Sequence, residues 1–249
     1  MTIQILDHAD ALRRKVAPGL ATKRKSALGQ FMTPSSVARF MASLFPPATL
    51  QTCRLLDAGA GLGALSCAFI DRWAAGDGLK FQDAEVDAYE IDDALRAHLE
   101  QTLANYTGGL PVAPKIIAGD FIWEAARRIL QGSKSYTHVI LNPPYKKINS
   151  ASEHRLILRR MGIETVNLYT AFVALSLAMM RSGGQLVAII PRSFCNGPYY
   201  RPFRDFLLGR AALRHMHLFA SRNQAFKDDD VLQENIISSG WSVPRRKAM

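Results

Sequence analysis

Apolar residues along this chain recur in two rhythms that take turns. Short apolar or alternating runs, the signature of strands, fall at 53–59 (CRLLDAG), 84–92 (AEVDAYEID), 115–121 (KIIAGDF), 138–144 (HVILNPP), 185–191 (QLVAIIP), 213–219 (LRHMHLF) and 231–238 (VLQENIIS). Between them the spacing predicts helices over 33–45, 63–75, 93–106, 123–130, 168–181 and 200–208. In the first of these Val37, Phe40, Met41 and Leu44 share one face, with Thr33 placed to cap and Pro34 at the first helical position. Strands alternating with helices imply an α/β fold whose parallel sheet is covered on both faces. Ligands in such sheets sit at the carboxyl ends of the strands, and there this sequence keeps its unusual residues.

Composition narrows the class. The chain has 249 residues, enough for one large domain or one with appendages. An apolar fraction of 48% with 21% charged residues is ordinary for a soluble globular protein. The longest apolar stretch, LYTAFVALSLAMM, falls well short of the roughly 20 residues a membrane helix needs. The N-terminus lacks a basic region followed by an apolar core, so no secretion signal is expected. Cys53, Cys67 and Cys195 share no metal-ligand spacing. They are expected to be reduced, mostly buried thiols of a cytoplasmic protein that holds no metal. A formal charge of +10 changes the picture more. Basic clusters at 13–15, 23–25 and 245–247 would attract a polyanion such as nucleic acid, although clusters of this kind also occur as solvated ends with no partner.

The candidate chemistry begins at DAGAGLG, Asp57 to Gly63. Gly59, Gly61 and Gly63 let the backbone turn sharply and approach a ligand at the start of the next helix. Alone, such a turn serves equally as a tight strand-to-helix connection, and its spacing departs from the dinucleotide pattern. Glu90 ends the next strand, where a carboxylate can accept both hydrogen bonds of a ribose diol; by itself it could equally be a helix N-terminal charge. In GDF, Asp120 could accept from an exocyclic amine and Phe121 could stack on a purine. Together these strand ends describe a pocket for an adenosine-containing cofactor.

A fourth strand end reads Asn142-Pro143-Pro144-Tyr145. Two consecutive prolines have fixed φ and no N–H, so they continue neither a ladder nor an ordinary helix turn. The Asn142 amide oxygen and the Pro143 carbonyl are two acceptors on a rigid corner. They can grip both hydrogens of an NH₂ group and aim the nitrogen lone pair at an electrophile. Tyr145 offers a face on which a planar base can stack. Such a corner suits alkylation of a weakly nucleophilic conjugated amine, mainly by orientation, which can be worth roughly 7–11 kcal/mol.

On these residues the chain resembles the S-adenosylmethionine-dependent DNA adenine-N6 methyltransferases of restriction–modification systems, in the subgroup whose cofactor motif precedes the glycine loop. LGQFMTP matches that leading motif, which implies that Thr33 and Pro34 border the methionine moiety. LLDAGAGLG, YEID and GDF match the glycine loop, the ribose acid and the adenine contact, and LNPPY matches the catalytic motif. NQAFKDDDVLQENII matches the segment that supplies an aromatic opposite Tyr145, which implies that Phe226 stacks on the other face of the target base. Tyr169, Tyr199 and Tyr200 are expected to be packing residues. The resemblance covers about residues 26–237 and implies a methyltransferase catalytic domain over 26–238. It implies a Rossmann-like class I methyltransferase fold with a seven-stranded, mostly parallel sheet. It also implies double-stranded DNA as substrate, with the target adenine rotated out of the duplex. A basic leader is expected over 1–25 and a short basic tail over 239–249, in place of the family's target-recognition domain. Either a separate DNA-recognition subunit is then an expected partner, or the chain is a truncated or short form that binds cofactor and needs such a partner to modify DNA. The same corner would also serve another planar amide or amine, such as a protein glutamine or an RNA base.

Overall fold

The computed structural model describes residues 5–16, 32–104, 110–133, 135–219 and 235–242. Among them, seven strands form one sheet: β1 (Ala48–Ala58), β2 (Leu79–Glu90), β3 (Val112–Ala118), β4 (Tyr136–Leu141), β5 (Met180–Pro191), β6 (Ala211–Leu218) and β7 (Asn235–Ser242). Their order is β3-β2-β1-β4-β5-β7-β6. Strands β1 to β5 pair in parallel, and β7 runs antiparallel between β5 and β6. The chain leaves β1 toward β2 and β3, then returns to β4 on the other side. That reversal opens a crevice at the carboxyl ends of β1 and β4.

Eight α-helices accompany the sheet among the described residues: α1 (Ile5–Val16), α2 (Ser35–Ser43), α3 (Ala64–Ala74), α4 (Asp93–Ala104), α5 (Phe121–Leu130), α6 (Glu153–Arg160), α7 (Leu168–Met179) and α8 (Arg201–Leu208). The period of two along each strand divides the core. Leu55, Ile140, Val187 and Ile189 point into a cluster with Met41, Phe45, Phe69 and Leu99. Their neighbours Leu56, Val139, Leu141, Leu186 and Ala188 point into a second cluster with Phe121, Phe172, Leu175 and Phe203. With both faces buried, the central strands read as continuous apolar runs.

Several boundaries differ from the sequence expectation. Strands β1 and β2 start at Ala48 and Leu79, several residues early, because their first halves alternate through partly exposed positions and carry no apolar run. Strand β4 stops at Leu141, since Asn142 precedes a proline and the two prolines donate no ladder hydrogen bond. Strand β7 continues through Ser239, Gly240, Trp241 and Ser242, which were expected to belong to a tail. These residues carry no apolar run; ladders to both β5 and β6 hold Ser239, Gly240 and Trp241, and Ser242 pairs with β6.

Two helices went unanticipated. Helix α1 lies inside the expected basic leader and buries Leu6, Ala9, Asp10 and Arg13 at i, i+3, i+4 and i+7. Half of that stripe is charged, so it carries little apolar signal. Helix α6 begins at a Ser152 cap whose hydroxyl accepts from the Arg155 N–H at 3.3 Å. Helix α2 also starts differently: Pro34 is its N-cap, and Thr33 does not cap it. The Asp10 carboxylate of α1 accepts from the Ser35 N–H instead, at 3.3 Å.

Candidate active site

A cavity of about 370 Å³ opens at the strand ends, within the range of small-molecule sites. Gly59 and Gly61 line it after β1, Glu90 ends β2, Asp120 and Phe121 follow β3, and Asn142 and Pro144 follow β4. The glycine loop is its floor. The Gly59 and Ala60 N–H groups donate to the Tyr89 carbonyl at 2.9 and 2.8 Å, and the Gly61 N–H donates to Glu90 Oε2 at 2.8 Å. The other Glu90 oxygen accepts from the Asp92 N–H at 2.8 Å. Glu90 is thus a buried carboxylate at the cavity, fixed by two backbone donors.

Four residues expected to contact cofactor lie elsewhere or are already engaged. Asp57 does not line the cavity. It is fully buried, and its Oδ2 accepts from the Ser66 N–H at 3.2 Å and the Ser66 hydroxyl at 2.7 Å. Burial, with the Glu90 charge nearby, pushes its carboxyl up to about 7 against those two bonds. Asp57 therefore pins the start of α3. Gly63 is the N-cap of α3 with φ 86°, packed toward α4. Pro34, at the cap of α2, is likewise not in the lining. Asp120 does line the cavity, but both its oxygens have partners: Oδ1 takes the Ile122 N–H at 2.8 Å, and Oδ2 takes His154 Nε2 at 2.8 Å. Phe121 reaches the cavity but is only 4% exposed, its ring 5.0 Å from Tyr89 and 4.7 Å from Phe172.

The Asn-Pro-Pro-Tyr corner is built as a held amide. Asn142 is 9% exposed, and its Nδ2 donates to Thr33 Oγ1 at 3.1 Å. Its Oδ1 accepts from the Tyr145 hydroxyl at 3.1 Å. The same hydroxyl lies 3.2 Å from the Ile189 carbonyl, and burial pushes it above its ordinary pKa, so it stays protonated and donating. The Tyr145 ring packs edge-on against Tyr169, with centroids 6.3 Å apart. Tyr145 and Pro143 stand behind the cavity wall, not in it. Tyr169 and Tyr200 pack as expected, whereas Tyr199 is 79% exposed. Phe226 lies outside the described residues.

Sequence reasoning missed Arg13, which lines the cavity from α1, and His154, which reaches it from α6. No sequence signal marks the first, because half of the stripe it shares with Leu6, Ala9 and Asp10 is charged. A serine cap before EHRLILRR and Gly162 after it could have revealed the second.

Comparison with known proteins identifies the family and the fold. Residues 75–226 match the family model of the Eco57I restriction-modification methylases. The chain is 51% identical over 242 residues to the type II methyltransferase M.BsuBI of Bacillus subtilis, covering 94% of this chain and 47% of that protein. It is 42% identical over 235 residues to the type II methyltransferase M.PstI of Providencia stuartii, covering 92% and 46%. The chain therefore spans about half the length of these relatives. A Listeria monocytogenes structure assigned to the class I S-adenosylmethionine-dependent methyltransferases superposes with a TM-score of 0.70. That match has 13% identity over 98% of this chain and 69% of the other, and it shows the class I methyltransferase fold. S-adenosylmethionine is the cofactor. The chain belongs to the Eco57I restriction-modification methylase family.

Proposed function

We propose that this chain transfers a methyl group from S-adenosylmethionine to N6 of adenine in double-stranded DNA, as the modification part of a restriction–modification system. The observation that carries the reading is the Asn142 carboxamide, held between Thr33 and Tyr145 at the edge of the cavity. The cavity suits the cofactor: Glu90 presents a fixed carboxylate for a ribose diol, and Ile91, Leu95, Phe121 and Ile122 give an apolar bed for a purine. When bound, the cofactor supplies an electrophilic methyl group.

The protein's part is orientation. Asn142 Oδ1 and the Pro143 carbonyl accept the two hydrogens of N6 and turn its lone pair out of the ring plane toward the cavity. Thr33 accepts from Nδ2 and so keeps the amide oxygen turned to the base. Tyr145, tied at its hydroxyl, gives a stacking face worth about 1–3 kcal/mol, and Phe226 is assigned the opposite face. An N6 proton becomes acidic only as the nitrogen gains positive charge, so no strong base is needed beforehand. The formal charge of +10 supports DNA as the partner, and a separate DNA-recognition subunit is a further proposed partner.

Asn142→Ala tests the assignment. Transfer to DNA should be abolished while the affinity for S-adenosylhomocysteine, measured by calorimetry, stays within about threefold. Parallel loss of both would contradict the role given to Asn142.

A further inference from the structure

We propose that His154 is a positioning residue for the cofactor's purine: it fixes the Asp120 carboxylate so that this end of the cavity takes a purine bearing an exocyclic amine in preference to one bearing a carbonyl there. The inference rests on S-adenosylmethionine occupying the cavity with its purine toward Asp120. His154 is the second residue of α6, and it lines the cavity together with Ile148, Asn149 and Ser152. Four residues on, one turn along the same helix face, Leu158 is fully buried in the cluster that contains Phe121. That face lies against α5 and brings His154 Nε2 to 2.8 Å from Asp120 Oδ2. Facing a carboxylate, Nε2 is the nitrogen that donates.

Asp120 gains its orientation from that second bond. Its Oδ1 caps α5 through the Ile122 N–H at 2.8 Å, but the last torsion of an aspartate is broad, and one bond leaves the plane of the group free to turn. A donor on Oδ2 from a different helix sets that plane. Asp120 then still lines the cavity, with its side chain 29% exposed. A carboxylate oxygen accepts more than one hydrogen bond. An exocyclic amine supplies a hydrogen to it, whereas a carbonyl in the same place sets acceptor against acceptor. The Trp123 ring of α5, with its centroid 6.2 Å from that of His154, flanks the imidazole. Helix α6 is anchored without His154: Ser152 caps it, Leu158 is buried, and Arg155 and Arg159 both pair with Glu164. The imidazole is therefore not needed to keep the helix in place.

The test is calorimetry on the purified chain with two ligands: S-adenosylhomocysteine and S-inosylhomocysteine, in which a carbonyl replaces the purine's amine. Wild type should bind the first at least about tenfold more tightly. His154→Ala should weaken S-adenosylhomocysteine by about 5–20-fold, while S-inosylhomocysteine changes by less than about twofold, so the preference shrinks. His154→Gln, which keeps a side-chain N–H donor, should restore most of the preference. Equal loss of both ligands in His154→Ala would overturn the proposal and leave the histidine a prop for the cavity wall. An unchanged preference in that variant would overturn it as well. A wild-type chain that binds the two ligands alike would instead remove the reading of Asp120 beneath the proposal, and one that binds neither would remove the cofactor reading.

Discussion

Gly61 and Gly63 stand two residues apart in one loop, both with positive φ, 58° and 86°, yet their replacement by alanine should have separable consequences. A left-handed alanine costs about 1–2 kcal/mol relative to glycine, partly offset by about 0.4–1 kcal/mol from a stiffer unfolded chain. A Cβ on Gly61 would meet nothing within 4 Å of protein, so Gly61→Ala should destabilise by only about 0.5–1 kcal/mol. That Cβ would sit on the cavity lining, so the cofactor should feel it. A Cβ on Gly63 would lie 2.9 Å from Leu99 Cδ1, with Thr102 and Leu103 close behind. Overpacking of this kind adds about 1–3 kcal/mol, so Gly63→Ala should lose roughly 2–4 kcal/mol in all. Urea melts give the stabilities, and titration with S-adenosylhomocysteine gives the affinities. Gly63→Ala should shift the melt most, and Gly61→Ala the binding curve. Equal melts for the two variants, or a larger stability loss for Gly61→Ala, would refute the reasoning.

Asp57 gives a pH prediction. Its carboxyl titrates at about 7 in the fold against 3.8 when unperturbed, so between those values the folded state holds the extra proton. Its contribution is therefore complete below about pH 4 and is lost as pH rises through 7, by at most about 4 kcal/mol. Asp57→Asn should flatten that decline, and urea melts at about pH 5 and about pH 8 would show it; an unchanged difference between the two pH values contradicts the assignment. Thr33→Val removes the acceptor for Asn142 Nδ2 and should lower kcat by about 10–100-fold, with Thr33→Ser restoring most of it. A change confined to the KM for cofactor would instead place Thr33 against the cofactor alone.

The parallel core of the fold was legible because both faces of its strands are buried. Leu55 and Leu56, or Ile140 and Leu141, serve opposite clusters and so read as unbroken apolar runs. The exposed starts of β1 and β2 carry no such run, and the end of β7, Ser-Gly-Trp-Ser, is held by backbone ladders. The site was legible where backbone chemistry demands a residue type: glycines at positive φ, and prolines that end a strand. It was illegible where a contact depends on distant segments meeting. Thr33 and Asn142 are 109 residues apart and form one hydrogen bond, whereas the sequence offers Thr33 as a helix cap and, by resemblance, as a neighbour of the methionine moiety. Arg13 belongs to a basic cluster that the sequence offers to a polyanion or to solvent, because a charged residue on a helix gives no sign that a cavity lies beneath it. Asp57 was misplaced for the opposite reason: a carboxylate beside a glycine loop looks like a ligand contact until its partners in α3 are seen.

The most direct test of adenine-N6 transfer is base-resolved detection of modified nucleotides in DNA from a methylation-deficient bacterial host expressing the chain. Expected is N6-methyladenine at one defined sequence, lost with Asn142→Ala. N4-methylcytosine in its place, or N6-methyladenine that persists with Asn142→Ala, would contradict it.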